Sequence, residues 1–363
     1  MKKVAVLTLY GEKNFGNKLQ NYAVQELIKE KGYECKTIGN VRHYRLRGLK
    51  SKLIAFLGFP KKTAEKKRFI LQIEACFKKF SEKKLQLGET IKFRDTYRIA
   101  DNYDFFVAGS DQIWHNWSRT NEEMDYFFIR FAPPHKRICI SPSFGFESIP
   151  EEFRQQYTDG LNGFKHLSCR EKSGCRLINE LTGREAQLLC DPTMALTSDE
   201  WDNISSGPSF DVPEKYILTY FLGDAPAEAI NYAKKLSEKE GLPIINLYDW
   251  NYPEYLNVQP DEFLYLIKRA EHFCTTSFHG CVFSIIYHTP FTVFERNDLK
   301  GIHGRIFTLL KKFGLEHRNA ANQRLDIACD FSKVDDILSS ERKKMRDYLN
   351  TAFADAEAGE LNS

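Results

Sequence analysis

No two of the nine cysteines in this 363-residue chain are spaced Cys-x-x-Cys, so the thiol pairs that build zinc and iron–sulfur sites are missing. Their number is odd, and several sit inside apolar runs such as Ile138-Cys139-Ile140, where a reduced thiol is simply a small hydrophobe. The expected compartment is therefore a reducing cytoplasm. No window approaches 18 uninterrupted apolar residues, which leaves no candidate membrane-spanning helix. The start, Met1-Lys2-Lys3 before Val4-Ala5-Val6-Leu7, mimics a signal peptide, but the apolar run is short and no small-x-small site follows. It reads instead as a first buried strand. A Gly-x-Gly-x-x-Gly fingerprint, internal repeats and low-complexity tracts are all lacking.

What is present is an ordinary globular composition, 42% hydrophobic and 28% charged, at a length that suggests two domains. The net charge of +3 hides an asymmetry: residues 42–84 carry 14 Lys/Arg against 3 Asp/Glu, a local +11, which leaves −8 elsewhere. A nucleic-acid binder would spread positive charge over a docking face, so no nucleic-acid partner is expected.

Strand-like and helix-like patterns alternate from the start. Strands are expected at 3–8, 35–38, 103–108, 137–141, 166–169 and 187–190, with helices at about 64–81, 150–162 and 171–182. A linker is expected at 197–214. A second series follows, with strands at 216–221, 243–247, 272–276 and 291–294 and helices at 226–240, 260–270, 279–288 and 302–313. An amphipathic helix over 333–353 then precedes a frayed end. The expected fold class is α/β, with an N-terminal domain over 1–200, a C-terminal domain over 212–330 and a final helix over 331–353. Parallel sheets of this kind bind ligands at the carboxyl ends of their strands.

Four loops carry chemistry there. Gly11 to Lys18 has the Gly-x4-Gly spacing of a phosphate loop but puts Asn17 where the Lys belongs. Asn14, Asn17 and Gln20 suit sugar hydroxyls, and an Asn-capped helix start explains them equally well. Ser110, Asp111, Gln112 and Trp114 end an apolar strand. Such a set resembles carbohydrate recognition, with Asp111 either a general base or a helix cap. Arg170 stands where a strand passes into a helix, placed to grip a carboxylate or phosphate or to pair with Glu171. Asp191-Pro192-Thr193 reads as a capped structural turn. The sharpest segment is Thr275-Thr276-Ser277-Phe278-His279-Gly280, a polar turn opening an apolar helix, where free amides, a hydroxyl and an imidazole form an anion site. Downstream, Arg296, Arg305 and Arg318 add cations, of which Arg305 is best placed.

These residues resemble the polysaccharide pyruvyl transferase family. The likeness rests on Asn14-Phe15-Gly16-Asn17-Lys18-Leu19-Gln20-Asn21-Tyr22-Ala23, Val107-Ala108-Gly109-Ser110-Asp111-Gln112-Ile113-Trp114, Arg170-Glu171-Lys172-Ser173-Gly174, Asp191-Pro192-Thr193 and Ser277-Phe278-His279-Gly280, in that order. The resemblance implies two Rossmann-like domains around a cleft, GT-B-like, with the last helix crossing back. It also implies transfer of pyruvate from phosphoenolpyruvate to two hydroxyls of a sugar, in an envelope polysaccharide or its lipid-linked precursor, giving a cyclic ketal and phosphate. The donor would lie on the C-terminal domain at Ser277, Phe278, Gly280 and Arg305, with His279 and Arg170 as catalytic residues beside it. The acceptor would lie at Asn14, Asn17, Gln20, Ser110, Gln112 and Trp114. Phosphoenolpyruvate would be a co-substrate and no resident cofactor or metal-ligand set is expected, while the sequence leaves the need for a metal open. A nucleotide-sugar glycosyltransferase and a non-catalytic polysaccharide-binding relative are the competing readings. The basic segment 42–84 carries Phe69, Ile70, Ile73, Phe77 and Phe80 at helical spacing. It is either a solvated surface or a contact with an anionic membrane at the inner face, or with a lipid-linked acceptor.

Overall fold

The computed structural model describes residues 1–9, 13–41, 61–115, 120–249, 251–296, 303–322 and 328–361. The chain opens with β1 (Lys3–Leu7), α1 (Phe15–Lys29), β2 (Glu34–Val41), α2 (Lys61–Lys84) and β3 (Leu87–Lys92). Then come β4 (Phe105–Asp111), α3 (Asn121–Phe127), β5 (Arg137–Pro142), α4 (Glu151–Asn162), β6 (Ser168–Cys169), α5 (Lys172–Thr182) and β7 (Gln187–Leu188). Two short helices, α6 (Pro192–Ala195) and α7 (Ser198–Asp202), lead into β8 (Ile217–Tyr220), α8 (Ala227–Glu240), β9 (Ile244–Leu247) and α9 (Pro260–Arg269). The remainder is β10 (His272–Thr275), α10 (Phe278–Tyr287), β11 (Phe291–Val293), α11 (His303–Phe313) and α12 (Val334–Leu361).

Continuous apolar strands such as Val4 to Leu7 are buried throughout, as a parallel sheet covered on both faces requires. The first sheet has the order β3-β2-β1-β4-β5 and the second β11-β10-β8-β9, all pairs parallel. In the first, β1 is flanked by β2 and β4, with Val4 opposite Cys35 on one side and Phe105 on the other. In the second, β8 is flanked by β9 and β10 in the same way, Leu218 facing Ile245 and Phe273. Each sheet thus reverses its strand order once, beside β1 and beside β8. A crevice forms at each reversal.

One apolar cluster runs from Val4, Val6 and Leu19 through Trp201, Leu218 and Phe273 to Leu349 and Phe353, and so spans both sheets. A knot of rings pins its centre. Phe15, at the start of α1, stacks on Phe263 of α9 at 4.2 Å and meets Phe77 of α2, Tyr220 of β8 and Tyr248 within 5.1–5.3 Å. Helix α12 returns to the first domain, where the Tyr348 hydroxyl donates to the Cys139 carbonyl (2.8 Å) and Arg346 pairs with Glu30 (3.0 Å). Two parallel-sheet domains facing each other with a returning last helix make the fold GT-B-like.

Three departures from the sequence-based expectation have local causes. Strand β3 is an edge strand of mostly polar, partly exposed residues, which carries no apolar run to announce it. The expected linker folds at its start into α7, closed by a capping box between Thr197 and Glu200 and anchored by fully buried Trp201. The expected frayed end is helical to Leu361, because Glu357 accepts from the Tyr33 hydroxyl (2.9 Å) and Glu360 from Lys2 (2.9 Å). In α2, Ile73, Phe77 and Phe80 are buried whereas Ile70 is exposed, and Lys78, Lys79 and Lys83 face outward. Residues 42–60 of the basic segment lie outside the described residues. No helix among the described residues is long and apolar enough to cross a membrane.

Candidate active site in the interdomain cleft

The two crevices face each other across one cavity of about 280 Å³. From the first domain it is lined by Leu9, Asn14 and Asn17 after β1, by Asp111 at the end of β4, and by Gln112 and His115 beyond it. From the second it is lined by Leu222 after β8 and by Thr276, Ser277, Phe278 and His279 after β10, with Arg296 and Arg305 beyond. Each crevice contributes a helix N-terminus. Asn14 caps α1 by accepting from the Gly16 N–H (2.8 Å), and Ser277 caps α10 by accepting from the Gly280 N–H (3.2 Å). The first turns meet so closely that a Cβ on Gly16 would overlap the Nδ1 edge of the His279 ring.

Behind the cavity runs a buried ladder of charge. The Arg170 guanidinium donates to both Asp111 (Nη2–Oδ1 3.1 Å) and Asp191, and Asp191 Oδ2 lies 3.4 Å from His279 Nε2. The other Asp191 oxygen accepts from the Thr193 N–H (3.0 Å) and hydroxyl (2.6 Å). Asn17 donates its amide to the second oxygen of Asp111. Arg170 and Arg305 both lie over the Phe278 ring, at 4.8 and 5.5 Å. Arg305 Nε has no hydrogen-bond partner, and among the described residues no carboxylate pairs with its guanidinium.

The sequence model of the family described as polysaccharide pyruvyl transferase matches residues 14–298, which include the ladder and all of the cavity lining named above except Leu9 and Arg305. The chain belongs to that family. No curated protein matches it by sequence. Among solved structures it is similar to S. aureus MnaA with UDP (9% identity, TM-score 0.47, 96% of this chain and 97% of that chain covered). It is also similar to Acinetobacter baumannii MurG (10%, 0.41, 98% and 94%) and to UDP-GlcNAc 2-epimerase from Methanocaldococcus jannaschii (11%, 0.45, 95% and 93%).

In this member of the pyruvyl transferase family, several expected contacts turn out to be internal. Trp114 is 1% exposed, donates its indole N–H to the Phe127 carbonyl and stacks on Phe128; it is core, not a sugar platform. Gln20 and Ser110 form a latch between α1 and β4: the Gln20 amide donates to Thr8 (2.8 Å) while its oxygen accepts from the Ser110 N–H (3.0 Å). Both are fully buried and line no part of the cavity. Gly280 is buried against Thr275, where a Cβ would come within 2.9 Å of the hydroxyl. It permits packing and does not touch the cavity. Arg170 also stands behind the wall, where its partners are Asp111 and Asp191 and not Glu171, whose carboxylate accepts from the Phe144 N–H (2.7 Å). Asn14, Asn17, Gln112, Ser277, Phe278, His279 and Arg305 do reach the cavity.

Electrostatics bears on the role of Asp111. Burial pushes the Asp111 carboxyl up, but Arg170 and then His279 more than reverse this, so it titrates below the ordinary carboxylate range. Ionised, and with its two oxygens taken by Arg170 and Asn17, Asp111 is a counter-ion to Arg170 and a weaker base than an ordinary carboxylate. Asp191 is held well below the carboxylate range in the same way, with burial overcome by Arg170 and His279. Burial, followed by Arg170, lowers Arg305 to about 10, so it remains a cation at neutral pH. Burial, followed by Arg305, lowers His115 to about 4 and keeps it neutral. Asp191, expected to be only a turn cap, and His115 were the residues missed. Asp191 opens one of the motifs that carry the family likeness, whereas His115 had no signal beyond standing one residue after another such motif. Among the described residues no three His, Cys, Asp or Glu side chains gather as metal ligands.

Proposed function

We propose that the protein transfers pyruvate from phosphoenolpyruvate to two hydroxyls of a saccharide, forming a cyclic ketal and releasing phosphate. The observation that carries this reading is the convergence of two helix N-termini with Arg296 and Arg305 on one compact cavity beside His279. Such a site suits a small molecule with both a carboxylate and a phosphate.

Protonation of the donor's methylene carbon makes the neighbouring carbon electrophilic, and the first hydroxyl adds there. The carbon–oxygen bond to phosphate then breaks, and the second hydroxyl closes the ring. Of the two hydroxyl protons, one balances the proton placed on the methyl carbon and one leaves with phosphate. His279 is the proton donor in this scheme, with Asp191 as its counter-ion, and Arg305 holds the phosphate. Asn14, Asn17 and Gln112 face the acceptor hydroxyls.

The test is incubation with phosphoenolpyruvate and a panel of lipid-linked and nucleotide-linked sugars, reading phosphate release and the pyruvyl mass increment. Phosphoenolpyruvate is expected to raise the melting temperature by mass action. His279→Ala and Arg305→Ala are each expected to lose on the order of 30- to 1000-fold in turnover while staying folded. Stabilisation by uridine or cytidine nucleotides alone would overturn the donor assignment.

A further inference from the structure

A 280 Å³ cationic cavity accounts for an anion but leaves most of a polymeric acceptor unplaced. A larger groove, of about 940 Å³, lies next to it on the second domain, between the carboxyl ends of β8 and β9 and helix α8. Its polar lining includes Asp224, Asp249, Asn246 and Asn251, with Lys234 the lining cation. Tyr252, 41% exposed, and Phe221 supply aromatic rings, and Ile230, 39% exposed, supplies apolar surface.

We infer that this groove binds a neutral saccharide, and that it holds the acceptor chain while the reacting sugar stands in the cleft. Three observations support this. Two carboxylates against one ammonium repel phosphates and sulfates, the reverse of the cleft, so the two sites sort ligands by charge. The groups present match vicinal hydroxyls, because carboxylates accept from O–H and side-chain amides both accept and donate. Asn246 gives its carbonyl to the Thr219 hydroxyl (2.7 Å), which fixes the amide and leaves its N–H groups without a partner among the described residues. The apolar C–H face of a sugar ring stacks on an exposed aromatic such as Tyr252. The groove is also joined to the reaction site. Phe221, Gly223 and Asp224 line it while Leu222 lines the cleft, and the Leu222 N–H is tied to the Thr276 hydroxyl (2.8 Å) in the cleft wall.

Saccharide binding here stands by itself, whereas the ligand's role as acceptor rests on the pyruvyl transfer proposed above. The experiment therefore leaves phosphoenolpyruvate out. Saturation-transfer NMR and calorimetry on the full chain would use neutral di- to tetrasaccharides of glucose, galactose, mannose and N-acetylglucosamine, together with sulfated counterparts. At least one neutral member is expected to bind, and Asn246→Ala and Tyr252→Ala are each expected to weaken it about tenfold, or 1.4 kcal/mol. The thermal shift with phosphoenolpyruvate should be unchanged in both variants, and Arg305→Ala should show the opposite pattern. The inference is overturned if no neutral saccharide binds the parent, if both variants bind as well as the parent does, or if the sulfated counterparts bind more tightly.

Discussion

At the scale of single residues, Asp191 decides most. Its side chain is fully buried and serves Arg170, His279 and Thr193 at once. Asp191→Asn keeps the shape but leaves a buried guanidinium with half its counter-charge, which is expected to lower stability by about 3–5 kcal/mol. Turnover should fall as His279 loses its partner, and Asp191→Glu should not match the parent, since a longer side chain shifts the carboxylate off Arg170, His279 and Thr193. The pH dependence has a definite sign. Folded-state pKa values of Asp111 and Asp191 lie below their unfolded values, so their contribution is fully present above about pH 4 and is lost as pH falls further. Acid unfolding followed by circular dichroism should show a shallower acid limb in Asp191→Asn than in the parent. An unchanged limb would remove Asp191 from the ladder. The sequence named the right loops at this scale but not which side chains turn inward. Gln20 and Ser110 bond across 90 positions of chain, and nothing local reports a partner so remote. Trp114 looked like a sugar platform because an indole beside Asp and Gln reads the same whether it faces water or Phe128.

At the scale of elements, the arrangement depends on two helix starts being allowed to touch. Gly16 is what permits it. Gly16→Ala is expected to push the His279 ring away, at roughly 1–3 kcal/mol of stability and about 10²-fold in turnover from a displacement near 1 Å. A KM for phosphoenolpyruvate and a turnover both matching the parent would show that the contact carries no function. Strand and helix order was legible because buried parallel strands are apolar runs and the helices that follow them begin at cap residues such as Asn14 and Ser277. Strand β3 and the last turns of α12 were not, since an edge strand and a helix end are settled by what they lie against. The Glu357 and Glu360 contacts to Tyr33 and Lys2 join opposite ends of the chain.

At the scale of the whole molecule, the apolar cluster that crosses from one sheet to the other makes two domains share one core. Helix α12 and the ring knot at Phe15 reinforce that union. Heat is therefore expected to unfold the protein in a single transition, with calorimetric and van't Hoff enthalpies close to equal. Two resolved transitions would contradict a shared core. Phe15→Ala, which removes the ring at the centre of the knot, should cost about 3–5 kcal/mol and is the variant expected to split the transition.

The opposed first turns of α1 and α10 have a mechanical consequence. Each helix start carries roughly half a positive charge, so like poles confront each other across the cleft and push the two domains apart. A dianion seated between them reverses the sign of that force and acts as a rivet. Amide exchange in both first turns should slow, and the radius of gyration should shrink, when phosphoenolpyruvate binds; exchange that stays at its ligand-free rate would show that no such force operates. In the pyruvyl transfer proposed above, the last anion left is inorganic phosphate. It should hold the halves together as the donor does, so that it inhibits competitively and the pace of each cycle is set by the cleft letting go of it.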